Sequence, residues 1–199
     1  MQPDAGRPLR VLLLRHAETE WSRVGKYTGR TDKPLTDAGR RAAAQLRGRI
    51  GAGETPVDAV FVSPLRRARE THSALELAVP HQLRDDLLEW DYGDYEGLTP
   101  SDIRAIDPSW DLWATGAPAG ESPGDVTVRL DRFVGELRDL GDRHRVLVVA
   151  HGHALRGLAC RWIGQPIELG RHLRLAAGRV GELGWSRGVP VVERWNEAL

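Results

Sequence analysis

The chain predicts an α/β fold, a three-layer α/β/α sandwich around a mostly parallel central sheet with an antiparallel C-terminal edge hairpin. Two nearly uninterrupted apolar runs, Leu9 to Leu14 and Val146 to Ala150, read as strands buried on both faces, as in a parallel sheet. Segments of helical spacing alternate with the strand runs, the order that covers both faces of such a sheet. At the C-terminal end, Val180 to Trp185 and Val189 to Trp195 flank Ser186-Arg187-Gly188 and read as a hairpin, which Pro190 places at an edge.

The first strand stops at Arg15-His16, and the late one runs into His151-Gly152-His153. Ligands of open α/β sheets sit beyond the carboxyl ends of the strands, so both endings are site candidates. A polar loop, Glu18 to Pro34, follows the first strand and is long for a βα connection, which favours a functional role. Thr36 reads as a helix cap with Asp37 in the first turn; Ala42, Leu46 and Ile50 form the expected buried stripe and Gly51 the expected stop.

Val57 to Val62 is the second strand, and Ser63-Pro64 reads as a cap followed by proline at the first helical position. Arg66, Arg67 and Arg69 then crowd positive charge into the first turns, where the helix dipole disfavours each cation by about 0.3–1 kcal/mol. A bound anion would relieve that conflict at Arg67, while Arg66 and Arg69 read as solvated. Leu83 to Gly97 is an acidic, aromatic loop in which a carboxylate beside Trp90 and Tyr92 would be partly desolvated, raising its pKa toward proton transfer.

Thr99-Pro100 and Asp107-Pro108 announce two short helices ending at Asp107 and near Gly116. Ser122-Pro123 opens a longer one whose Val126, Leu130, Phe133, Val134 and Leu137 read as core. The helix after His151 carries Leu155, Leu158, Ala159, Trp162 and Ile163 on one face.

The 199 residues are expected to form one domain spanning 1–199. Lys+Arg and Asp+Glu balance at 28 each, so no global charge draws the chain to nucleic acid or an anionic membrane, and any anion attraction must be local. The one cysteine, Cys160, cannot form an internal disulfide, and no run is long enough for a membrane span. A soluble, cytoplasmic protein is the expectation.

Two histidines, two arginines and a carboxylate at strand ends make a set that can move a phosphoryl group. Arginine forks match its equatorial oxygens, histidine can attack phosphorus, and a carboxyl group can protonate the leaving oxygen. Backbone amides near Ala17 and Gly152 are further candidate donors. The residues alone do not say which histidine attacks.

Arg15-His16-Ala17-Glu18-Thr19-Glu20-Trp21-Ser22, with Tyr27-Thr28-Gly29, Leu35-Thr36 and Gly39, resembles the Arg-His-Gly signature of the histidine phosphatase superfamily, the cofactor-dependent phosphoglycerate mutase-like group. Ser63-Pro64-Leu65-Arg66-Arg67-Ala68, Leu88 to Gly97, Ala119-Gly120-Glu121-Ser122 and Ala150-His151-Gly152 are similar to its later blocks, in the family's order. The resemblance implies His16 as phosphorylated nucleophile, Arg15, Arg67 and His151 as a cationic cup, and Glu89 as general acid and then base. It implies phosphate or substrate contacts at Ser22, Thr28, Gly29 and Gly152, and a small cap over about 85–122.

Ala17 stands where the family usually has glycine, and Ser22 where mutases commonly have asparagine. The short interval from Glu89 to His151 implies a smaller cap than a glycolytic mutase carries, hence freer access for water. The chain looks most like the acid phosphatases and sugar-bisphosphatases of the superfamily. The expected activity is metal-independent hydrolysis of small phosphate monoesters; a cofactor-dependent mutase and a non-catalytic phospho-ligand binder remain as alternatives. The expected partner is a phosphorylated small molecule, with no cofactor, no metal, no nucleic acid and no membrane; a homo-oligomer is left open. His153 is read as a helix N-terminal residue with a satisfied ring rather than a substrate contact, and His72, His81, His144 and His172 as surface or structural. Trp162 and Trp185 read as core; Trp21, Trp90, Trp110 and Trp113 either roof the site or form the cap's own core.

Overall fold

Alternation along the strands sorts the apolar side chains into two cores, one on each face of a sheet. The computed structural model describes residues 9–50, 57–141 and 145–199. Strands β1 (Arg10–Arg15), β2 (Ala59–Val62), β3 (His81–Leu83), β4 (Arg145–Ala150), β5 (Val180–Ser186) and β6 (Val189–Glu197) form a six-stranded sheet in the order β3-β2-β4-β1-β5-β6. The first four run parallel, β5 is antiparallel to β1, and β6 is antiparallel to β5 at the edge. The helices are α1 (Glu20–Arg23), α2 (Asp37–Gln45), α3 (Arg66–Ser73), α4 (Pro100–Ile106), α5 (Leu112–Thr115), α6 (Pro123–Asp139) and α7 (Gly152–Trp162).

Val11, Leu13, Phe61, Val146 and Val148 point to one face, where α6 brings Leu130 and Phe133 and α7 brings Leu155, Leu158 and Trp162. Leu12, Leu14, Val60, Val62, Leu147 and Val149 point to the other, against Ala68 of α3 and Leu46, Ile50 and Leu75 just past the helix ends. The result is the expected α/β/α layering. Each such fully buried side chain stabilises the fold by about 1.5–3 kcal/mol relative to exposure.

The sheet also aligns the strand tips. His16 N donates to Ala150 O at 2.8 Å, extending the β1–β4 ladder by one residue, and Ser63 N donates to Val149 O at 3.0 Å on the other side of β4. Ser63, His151 and His16 therefore leave three neighbouring strands in one row.

Several local expectations are corrected. Thr36 does cap α2, its Oγ1 accepting from Gly39 N at 2.9 Å, but the helix ends at Gln45 and buries Gly39 and Ala43, leaving Ala42 exposed. The stripe is Gly39-Ala43-Leu46, spaced four and then three residues as one helical face requires. The expected stop, Gly51, and His144 lie outside the described residues. Ser63 is not a cap: α3 starts at Arg66 behind Leu65, with no side-chain cap. A short strand, β3, precedes the acidic loop; its three residues are all exposed and carry no alternating pattern.

α4 starts as expected in a Thr99–Asp102 capping box, but α5 begins past Asp107-Pro108, capped by Asp111. The Asp107 carboxylate is used instead on Ser109, accepting from its N at 3.0 Å and its Oγ at 2.8 Å, which closes a turn. α6 has the expected Ser122 cap and buries its whole expected stripe. The hairpin turns through Arg187 (φ 52°) and Gly188 (φ 79°), the doubly left-handed pair that matches strand twist.

Candidate active site

The apolar strand β1 delivers His16 to a cavity of about 190 Å³ at the carboxyl ends of the sheet. Arg15, Ser22, Thr28, Glu89 and Gly152 also line it, as do Tyr27, Tyr92, His153 and three cations in all, Arg15, Lys26 and Arg156, against the single carboxylate of Glu89. A chain without net charge thus concentrates positive charge locally.

His16 is 4% exposed. Its Nδ1 lies 2.7 Å from Ala17 O. A carbonyl only accepts, so Nδ1 carries the proton and Nε2 is a bare lone pair. Burial, and then Arg67 and Arg15, hold the imidazole well below its usual range, which keeps it neutral. Arg15 is anchored by one terminal N–H on Leu175 O at 2.6 Å, while its buried Nε–H has no protein partner. A Cβ on residue 152 would sit 3.2 Å from the Arg15 Cζ, so glycine at the start of α7 lets the guanidinium lie flat beside the helix.

His151, fully buried, stands behind His16 with ring centroids 5.2 Å apart. Arg67 Nε donates to its Nδ1 at 3.0 Å, and its Nε2 lies 2.7 Å from Ser63 Oγ. Because a guanidinium only donates, Nδ1 is the acceptor and Nε2 carries the proton. Burial, Arg67, His16 and Arg15 all push His151 well below the usual histidine range. Arg67 gives its remaining bonds to Thr31 O at 3.1 Å, Thr28 O at 2.9 Å and Gly29 O at 3.0 Å. Four of its five N–H groups are therefore engaged.

Glu89 is 5% exposed. Its Oε1 accepts from Trp90 N at 3.0 Å and Ala154 N at 2.9 Å, and its Oε2 from His153 N at 3.0 Å. The last two amides belong to the first turn of α7, whose dipole also favours a carboxylate. Three backbone donors therefore hold the buried Glu89 carboxylate beside Trp90. Tyr92 OH lies 2.6 Å from His153 Nδ1. Burial, Glu89 and Tyr27 raise the Tyr92 phenol well above its usual range, so it stays neutral.

Six of the nine sequence-predicted residues line the cavity: Arg15, His16, Ser22, Thr28, Glu89 and Gly152. His151 and Arg67 form the layer behind His16. Gly29 does not line the cavity, and its N–H donates to both oxygens of Glu96, at 3.0 and 2.8 Å. A Cβ there would meet Trp90 O at 2.6 Å, so this glycine serves close packing of the loop on the cap. The Ala17 amide is likewise occupied, by Thr71 Oγ1 at 3.0 Å.

His153 has its ring satisfied by Tyr92, as expected, and also lines the cavity. Trp90 and Trp113 pack edge to face at 5.4 Å within the same core that covers one face of the sheet, and none of the four loop tryptophans lines the cavity. Among the described residues, no group of three or more His, Cys, Asp or Glu is placed to hold a metal ion.

The sequence reading missed Ser63, Tyr27, Lys26 and Arg156. Arg156 had a signal: four residues after Gly152, it shares that glycine's face of α7.

Fold and site together place a buried histidine beside a cavity lined by three cations at the strand tips of an α/β sheet. Residues 11–198 match the family model described as histidine phosphatase superfamily (branch 1), and the chain belongs to that superfamily. It is 41% identical over 182 residues to an acid phosphatase of Mycobacterium tuberculosis, covering 90% of this chain and 88% of that protein. It is 33% identical to a sedoheptulose 1,7-bisphosphatase of Saccharomyces cerevisiae over 80% of this chain and 69% of that one. Among solved structures, an α-ribazole phosphatase from Shigella flexneri superposes with a TM-score of 0.82 at 27% identity, covering 94% of this chain and 96% of that one. These relatives support phosphatase activity for this chain.

Proposed function

We propose that the protein hydrolyses phosphate monoesters of small metabolites, without a metal, through a phosphohistidine on His16. The observation that carries this is the neutral His16 ring with Nε2 bare in a cationic cavity. In the first half-reaction Nε2 attacks phosphorus as the ester P–O bond breaks, and Glu89 gives a proton to the leaving oxygen. In the second, water attacks phosphorus, gives its proton to Glu89, and the N–P bond breaks to return His16 and inorganic phosphate. The unpartnered Arg15 Nε–H is the ready donor for an equatorial oxygen, with Arg67 and His151 as cationic and hydrogen-bonding backing. Lys26 and Arg156 would receive further negative charge on the substrate.

A nucleophile held well below the usual histidine range stays unprotonated in acid, which supports an acidic to neutral optimum and fits the acid phosphatase relative. The single buried cysteine suits a cytoplasmic setting, and no described helix is long and apolar enough to cross a membrane. Phosphate release from p-nitrophenyl phosphate by wild type and His16→Ala tests the mechanism: loss of turnover in the variant is expected, and equal rates would remove it. With 3-phosphoglycerate and a bisphosphate primer, isomerisation outrunning phosphate release would make the protein a mutase instead.

A further inference from the structure

The two ring nitrogens of His151 are chemically distinct, and the strand order gives each a different partner. Arg67 Nε reaches Nδ1 at 3.0 Å from α3. Ser63 Oγ holds Nε2 at 2.7 Å from the tip of β2, one strand over. Ser63 is fully buried, and its Oγ also receives Leu65 N at 3.4 Å. That second bond tethers the serine to the turn entering α3.

We propose that Ser63 is a positioning residue for the phosphatase reaction: by accepting the Nε2–H of His151 it makes Nδ1 the edge of that ring turned toward Arg67. The proposal rests on the phosphatase reading only for its kinetic consequence. Two anchors on opposite nitrogens fix both the tautomer and the rotation of the imidazole. Without Ser63, the Nε2–H is left in a fully buried position with no acceptor, and a half-turn of the ring or a shift of the whole side chain becomes the cheaper arrangement. Arg67 would lose its acceptor in either case, and the guanidinium and ring that back His16 would no longer hold one geometry. Sub-ångström displacement of such groups is felt in the chemical step.

The tautomer itself is read by long-range ¹⁵N–¹H spectra of wild-type protein near neutral pH, independent of any activity. His151 is expected as a neutral ring protonated at Nε2; a ring protonated at Nδ1, or at both nitrogens, overturns the proposal. With p-nitrophenyl phosphate, Ser63→Ala is expected to lower kcat by about ten- to a hundredfold, as an unsatisfied buried donor implies, with KM moving less. Ser63→Thr, which keeps the hydroxyl, is expected to recover most of the loss if it folds. An Ala variant with wild-type kcat, or one that loses only thermal stability, overturns the proposal. A wild type that shows the expected tautomer but releases no phosphate refutes the phosphatase reading and leaves the anchoring of His151 standing.

Discussion

Glu89 accepts the backbone N–H of Ala154 at 2.9 Å, so the residue proposed to move the proton also caps the helix that follows His151. The cap side and the sheet side of the cavity are joined at that carboxylate. Glu89→Gln is expected to lower kcat by about 10²–10⁴-fold, the usual contribution of a positioned acid–base group. It should also cost about 1 kcal/mol of stability, because an amide N–H₂ would face an α7 N–H in place of an acceptor. Steady-state rates and thermal melts read the two effects separately; an unchanged kcat would take Glu89 out of the proton transfer.

Stability should fall in mild acid. His16, His151 and His153 are all held well below 6.5 in the folded protein, chiefly by burial. Between the folded values and 6.5 the unfolded chain binds more protons than the folded one, so stability rises with pH across that window and is flat above it. Each histidine contributes a slope of up to about 1.4 kcal/mol per pH unit. Urea midpoints at pH 7.5 and 5.5 should drop in that order, and an equal or higher midpoint at pH 5.5 would contradict the neutral, buried rings.

The loop carrying Glu121 is tied to α6 by an ion pair. Arg129 holds Glu121 with Nε–Oε1 at 2.8 Å and a terminal nitrogen to Oε2 at 3.0 Å, the side chains being 10% and 16% exposed. Asp91 N also donates to Oε2 at 2.9 Å. Glu121→Ala leaves the Arg129 guanidinium with Asp86 O but without a carboxylate and is expected to cost about 3–5 kcal/mol. Chemical denaturation checks this; a loss below about 1 kcal/mol would show that the pair does not hold the loop.

Arg156 binds Gly170 O through Nε at 2.8 Å and lies 4.8 Å from the Trp113 ring centre, with no carboxylate at ion-pair distance among the described residues. It faces the cavity one turn of α7 beyond Gly152. Arg156→Met is expected to reduce kcat/KM by about tenfold more for a substrate bearing a second phosphate than for p-nitrophenyl phosphate, a charge-assisted bond's worth of binding. Equal losses on both would assign Arg156 to the scaffold alone.

Much of this was legible because it is local. The strands β1 and β4, the stripe of α6, the Thr99 and Ser122 caps and the C-terminal hairpin each announce themselves within a few residues, although Ser186 belongs to β5 rather than to the turn. Arg66 and Arg69 are exposed, as their solvated reading expected, while Arg67 is buried between them. β3 escaped because an exposed three-residue edge has no period to read. α5 was misplaced because Asp107 and Asp111 offer the same capping chemistry, and only the Ser109 turn uses up the first.

The amino-acid order by itself determined that two buried strands end in histidine and that the chain alternates strand and helix, since periodicity and termination are properties of neighbouring residues. It carried the motifs that mark the family as well. Only the tertiary structure decided that Ser63 bonds His151, that Arg67 spends its bonds on loop carbonyls, and that the Gly29 amide is held by Glu96. Those partners lie as far as 88 positions apart, and strand order in the sheet, which no local pattern encodes, selects them.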